Sequence, residues 1–154
     1  MKVTRESFTT TYDKYKNTVY SVIFNYVRNS EDASDVTQDV FLKLLDCDTE
    51  FTDDEHLKAW LIRVAINSSK NLLKFRNRFS DEEIPEMPYF DEHNEDSEIL
   101  QALIKLPEKY RIPLHLFYYE DYSIKQIGDV LGAPEATIKI RLKRGREKLK
   151  KLLN

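Results

Sequence analysis

The sequence predicts an all-α protein made of two small helical domains joined by an acidic, flexible linker. Three observations carry this. Glycine and proline are sparse, three and five in 154 residues, and alternating β-type runs are few. Apolar residues recur instead every three or four positions, the period of an amphipathic helix. Charge is segregated: residues 1–79 hold 12 basic and 12 acidic groups, residues 80–98 hold nine acids and no Lys or Arg, and residues 99–154 hold 12 basic and six acidic groups. The net charge of −3 therefore hides a −9 stretch ahead of a +6 one. With Pro85 and Pro88 inside it, the acidic stretch reads as a linker over 80–97, between domains at 1–79 and 98–154.

A first helix is expected over about Arg5 to Val27, where Phe8, Tyr12, Tyr15, Val19, Ile23 and Tyr26 keep a helical spacing. This aromatic stripe reads as core rather than as a ligand box. Ser30 is placed as the cap of a second helix, with Glu31 and Asp32 in its first turn. Val36, Val40 and Leu44 form its buried face, and Asp35, Gln38 and Asp39 lie on the other side. From Glu31 to Glu55 there are ten acids and one basic residue, Lys43. Such a surface serves solubility or docks a basic partner, and the residues alone leave both open.

Thr52 and Glu55 suggest a capping box for a third helix, in which Leu57, Leu61, Val64 and Leu72 form the apolar stripe. Asn67, Ser68, Lys70, Asn71, Lys74, Arg76 and Arg78 lie between or beside them. Amides, cations and aromatics on one helix suit single-stranded nucleic acid. A basic helix end that complements its own dipole is the plainer account, and the one favoured on these residues alone.

After the linker, Leu106 to Leu153 reads as a helix-turn-helix followed by a strongly basic helix. Ser123 and Gln126 form a capping box, and Tyr122 with Ile127 a hydrophobic staple. Ile124, Ile127 and Leu131 are the buried face. Gly132 ends that helix, Pro134 is placed at the first position of the next, and Glu135 sits in its first turn. Ile138, Leu142, Leu149 and Leu152 form the last buried stripe. Lys139, Arg141, Lys143, Arg144, Arg146, Lys148, Lys150 and Lys151 fall off it, opposed in that stretch only by Glu147. Such a face is either a solvated surface or a seat for DNA phosphates, and the agreement of caps, turn and charge points to DNA. Ile140 lies about 200° round the helix from Ile138, away from the core, where an apolar side chain can meet a thymine methyl.

Several classes are excluded. No apolar run is long enough to span a bilayer, and no cationic leader with a cleavage site is present, so direct membrane insertion is not expected. The single Cys47 rules out a disulfide framework and fits a reducing cytoplasm. Cys47, His56, His93 and His115 lack metal-ligand spacing, so no metal is expected. There is no Gly-rich phosphate loop and no nucleophile–base pair. No catalytic residue and no cofactor are assigned.

The order of motifs resembles the sigma-70 family of bacterial RNA polymerase sigma factors, in its extracytoplasmic-function subgroup. EDASDVTQDVFLKLL resembles region 2.1–2.2, AWLIRVAINSSKNLL the helix of regions 2.3–2.4, and LPEKYRIPLHLFYYEDYSIKQIGDVLGAPEATIKIRLKRGREKL region 4. The three together cover most of the chain outside the linker. The resemblance implies a subunit that brings core polymerase to specific promoters and opens the DNA. Asp35, Gln38, Asp39 and Phe41 match the helix that docks on the coiled coil of the β′ subunit. Residues around Phe51 to Leu57 match the loop that captures a base flipped from the −10 element. Trp60, Asn67, Lys70 and Lys74 match positions that contact that strand. Thr137, Lys139, Ile140, Lys143 and Arg144 match positions that read or clamp the −35 element. Two positions depart from the family: Ile140 stands where a small polar residue is common, and Asn71 where many relatives carry Asp. Region 3 of larger sigma factors has no counterpart, and the acidic linker takes its place. The implied partners are core polymerase (β′ coiled coil and β subunit), promoter DNA and an inhibitory anti-sigma factor, in the cytoplasm. The competing reading is an autonomous helix-turn-helix regulator that binds duplex DNA without polymerase.

Overall fold

The computed structural model describes residues 2–79 and 95–153. Among the described residues there are seven helices and no strand: α1 (Arg5–Val27), α2 (Ser30–Asp46), α3 (Asp54–Phe79), α4 (Glu95–Ile104), α5 (Glu108–Tyr119), α6 (Ile124–Leu131) and α7 (Glu135–Leu153). The chain divides into two compact units, Met1–Pro85 and Glu86–Asn154. The expected linker at 80–97 lies mostly outside the described residues, as do Pro85, Pro88 and His93. Its last three positions are not linker, because Glu95, Asp96 and Ser97 form the start of α4.

The first unit is a three-helix bundle in which α1, α2 and α3 all pack on one another. Tyr15, Val19, Ile23 and Tyr26 from α1 meet Val36, Val40 and Leu44 from α2 and Leu61, Ile62, Ala65 and Ile66 from α3, all buried. Phe8 and Tyr12, at the α1 start, leave this core. Phe8 is half-buried and Tyr12 36% exposed, its ring edge-on to Phe41 at 4.9 Å.

In this unit two caps differ from expectation by one residue. Arg28 turns α1 off in a left-handed conformation (φ 54°), which leaves Asn29 extended at φ −148°. Its side-chain oxygen therefore meets the open N–H of Asp32 at 3.0 Å, and Asn29, not Ser30, caps α2. At α3 the Asp53 carboxylate, not the Thr52 hydroxyl, accepts the His56 N–H at 2.8 Å. The His56 ring reaches back to accept the Thr52 N–H at 3.1 Å, and Glu55 takes no part in a box. An asparagine or aspartate oxygen caps as well as a serine or threonine hydroxyl, so residue type alone did not fix the position.

The second unit packs α4, α5 and α6 around α7. The Ser123–Gln126 box forms in both directions, at 3.1 and 2.8 Å. Tyr122 and Ile127 are both buried, whereas Ile124 and Leu131 are half-buried. Gly132 adopts φ 67°. Its N–H and that of Ala133 both reach the Gly128 carbonyl, the satisfied helix end that a glycine at this position permits. Pro134 is the cap of α7 rather than its first residue, because its carbonyl accepts the Ile138 N–H at 3.1 Å.

Helix α7 buries Ile138, Leu142 and Gly145. Gly145 takes the place of two expected residues: Leu149 is only half-buried, and Leu152 is 48% exposed towards the free end of the helix. A Cβ at Gly145 would stand 2.9 Å from Leu114 Cδ1 and 3.3 Å from Tyr110 Cβ, so glycine sets how closely α7 approaches α5. The unit also buries three polar residues, Arg111, His115 and Glu120. Arg111 Nη1 donates to the Leu106 carbonyl at 2.7 Å. His115 stacks on Tyr119 with centroids 5.5 Å apart, and its Nε2 lies 3.8 Å from Glu120. Burial pushes the His115 imidazole down from 6.5 to about 4, because an enclosed ring resists charging.

Two outcomes follow from the second unit. Gly145→Val should overpack the α5–α7 seam and cost about 1–3 kcal/mol, read as an earlier urea transition of that unit. Above pH 6.5 His115 is neutral in both folded and unfolded chains. As pH falls towards 4 only the unfolded ring gains a proton, so stability declines across that window, by up to about 3 kcal/mol. An NMR titration of the ring with a midpoint near 6.5 would contradict this.

Candidate functional site

Helix α2 places Asp35 and Asp39 outward because its inward positions are taken by Ala33, Val36, Thr37, Val40, Phe41 and Leu44. Asp35, Gln38 and Asp39 are all exposed. Lys43, one turn on, sits 4.0 Å from Asp39 and 3.1 Å from the Ser68 hydroxyl. Phe41 differs from the other three predicted contact residues. It is 3% exposed and packed edge-on to Phe8 and Tyr12, so it supports α2 from inside. Two residues missed by sequence reading share the outer face, Leu42 at 58% and Leu45 at 43% exposure. Seven and ten positions on from Asp35, they continue its row at about 100° per residue. The signal was present, since neither fits the Val36–Val40–Leu44 stripe.

The second face runs along α3. Phe51 and Leu57 are buried at 1% and 2% exposure, so neither offers its side chain to a ligand. Phe51 instead anchors the loop before α3, edge-on to His56 at 5.2 Å and to Trp60 at 5.9 Å. Trp60 and Lys70 are half-buried, while Asn67 and Lys74 are exposed. With Asn71 these form one outward stripe spanning about 21 Å from Trp60 to Lys74, at about 1.5 Å per residue. Arg76 does not join it. Its guanidinium turns inward to the largely buried Asp32 carboxylate and ties α3 to α2. Phe75, at 61% exposure, was not picked out from sequence.

The third face is the outer side of α7. Lys139, Ile140, Lys143 and Arg144 are exposed and Thr137 is half-buried. Two further exposed cations of this helix also contact α5. Arg146 donates to the Tyr118 hydroxyl at 3.2 Å, and the Lys148 ammonium lies 5.7 Å from the centre of the Tyr110 ring. Both link α7 to α5 while staying exposed, and Lys139, Lys143 and Arg144 are left as the outward cations of the first half of the helix. On the opposite side, α4, α5 and α7 enclose a groove of about 390 Å³ lined chiefly by Ile99, Leu103, Leu114, Tyr118, Leu149 and Leu153. Sequence reading missed it because it forms only when three helices meet.

These faces fall within two family matches. Residues 11–79 match the model of Sigma-70 region 2 and residues 96–149 that of Sigma-70, region 4. The chain belongs to the sigma-70 family. Both regions occur in the family order, one in each unit. The chain is 27% identical to the ECF RNA polymerase sigma factor SigW of Bacillus subtilis, over 97% of this chain and 90% of that one. It is 29% identical to the RNA polymerase sigma-H factor of Pseudomonas aeruginosa, over 91% and 82%. Among solved structures, the sigma factor RpoE from Bartonella quintana, in complex with the anti-sigma factor NepR, shares the fold. Its TM-score is 0.82 at 20% identity, over 96% of this chain and 97% of that one. No described helix of the sigma-70 chain is long and apolar enough to cross a membrane.

The packing around Phe51 separates support from contact. Phe51→Ala should cost about 3–5 kcal/mol and move the unfolding transition of the first unit, followed by the fluorescence of Trp60, the only tryptophan. Asn67→Ala, at an exposed position, should leave that transition within about 0.5 kcal/mol. Equal effects would place Phe51 outside the core.

Proposed function

We propose that this sigma-70 chain selects promoters through three separate surfaces, one for core polymerase and two for DNA. The observation that carries the reading is the opposite charge of two outward helix faces, acidic on α2 and cationic on the first half of α7. The polymerase-docking surface is Asp35, Gln38 and Asp39, extended by the exposed Leu42 and Leu45, with Phe41 holding the helix from behind. An acidic face with apolar neighbours suits the β′ coiled coil expected from the family, where charge steers and apolar area holds. The groove between α4, α5 and α7 is assigned to the β subunit.

The outward stripe of α3 serves the −10 element. Trp60, Asn67, Lys70 and Lys74 offer an aromatic edge, an amide and two cations to an unpaired strand. Extruding a base costs a few kcal/mol of unstacking, which these contacts must offset. Phe51 and Leu57 act here by shaping the loop between α2 and α3. Thr137, Lys139, Ile140, Lys143 and Arg144 meet the −35 element as duplex. The reading requires no cofactor and no catalysis by this chain, which works in the cytoplasm where its polymerase and DNA are. An anti-sigma factor is the expected inhibitor, by analogy with the solved relative bound to one.

Asp35→Ala combined with Asp39→Ala should reduce co-purification with core polymerase while circular dichroism and melting stay unchanged. Normal recovery with core would overturn the α2 assignment. Lys143→Ala combined with Arg144→Ala should weaken promoter binding by the holoenzyme. Its salt dependence should flatten by about two in log–log slope, at about 0.9 for each phosphate no longer neutralised. Unchanged slope and unchanged promoter choice would remove α7 from the −35 element.

A further inference from the structure

Ile140 is the one residue in the centre of the α7 outer face that phosphate binding does not use. It is 50% exposed. At about 100° per residue it stands about 160° from Leu142, itself buried in the unit. Packing therefore has no use for it. Ala136, one turn earlier on the same side, is also exposed, and Lys139, Lys143 and Arg144 flank the pair. The result is a small apolar patch framed by cations. A β-branched side chain is held by the helix in a nearly fixed rotamer, so this patch is rigid where its charged neighbours are not.

Resting on the reading of α7 as the recognition helix, we propose that Ile140, together with Ala136, selects thymine over cytosine by contact with the thymine C5-methyl in the major groove. Of the four bases only thymine shows a methyl group there, while cytosine shows an amino donor. An isoleucine discriminates twice. It buries the methyl, and it offers no acceptor to the cytosine amino group, which sheds its water on contact. Ala136 and Ile140 are separated by about 6 Å along the helix, close to two base-pair steps of about 3.4 Å. The patch thus spans neighbouring pairs, and the flanking cations hold the helix in register on the phosphates. Because the selective contact is apolar, its contribution is independent of salt, unlike the rest of the face.

The test uses holoenzyme reconstituted from the full chain and core polymerase, on a promoter fragment that it transcribes. Each thymine of the −35 element is replaced singly by deoxyuridine, which lacks only the methyl group. At one or two positions the wild-type holoenzyme should bind about fourfold more weakly, the equivalent of one buried methyl group, at every salt concentration. The Ile140→Ala holoenzyme should lose that weakening at the base pair Ile140 meets, and Ile140→Val should keep most of the discrimination there. Equal binding of thymine and deoxyuridine at every position overturns the methyl contact, as does the same weakening in Ile140→Ala. A scrambled −35 element separates the two levels. If scrambling weakens binding but deoxyuridine does not, the methyl contact alone fails. If scrambling has no effect, the assignment of α7 fails with it.

Discussion

The seam between α5 and α7 decides what the second unit presents. Gly145 lets α7 lie so close to Leu114 and Tyr110 that an added Cβ would force them to move apart or repack. Ile138 and Leu142 fill the same line and are buried. Once this line is fixed, the helix period fixes everything else on α7, because each residue is turned by about 100° from the last. Lys139, Ile140, Lys143 and Arg144 point outward for that reason, not from any contact of their own. The two cations on the flanks, Arg146 and Lys148, reinforce the seam through Tyr118 and Tyr110. Positive charge thus serves partly to hold the helix and partly to furnish its outer face.

The first unit follows the same logic with a different charge. Its three helices bury their apolar stripes against one another, and the outward faces of α2 and α3 are left with opposite characters. The Arg76–Asp32 pair joins those helices across the bundle and is largely withdrawn from solvent. Breaking such a pair by removing one partner leaves the other charge buried and unpaired. It therefore fixes the relation between the acidic face of α2 and the amide-and-cation stripe of α3, whereas the exposed Lys14–Asp54 bridge ties α1 to α3. Phe51 plays the matching part for the loop ahead of α3, with its ring enclosed by His56 and Trp60.

Much of this was legible in the sequence. The ends of α1 were read correctly, and so were the Ser123–Gln126 box, the turn at Gly132 and the outward direction of Ile140, because each rests on local chemistry or helical period. What was not legible depends on tertiary contact. Phe41 and Phe51 belong to family positions associated with binding, yet their side chains are core, and no local pattern separates a buried aromatic from an exposed one beside it. Leu152 keeps the period of the α7 stripe but stays 48% exposed beside α4, which covers it only in part. Gly145 breaks the apolar pattern and is nevertheless the residue on which the seam turns. The caps shifted by one residue because Asn29 and Asp53 compete with the adjacent Ser30 and Thr52 for the same open N–H groups.

The central claim is that this chain reads promoters only as part of a polymerase. Run-off transcription with purified core polymerase tests it most directly, with and without the chain, on a pool of promoter fragments. The predicted result is a set of transcripts from a discrete subset of fragments, present only when the chain is added, whose shared upstream elements define both DNA contacts. Duplex binding by the chain alone, with no new transcript when core is present, would contradict the claim and favour an autonomous regulator.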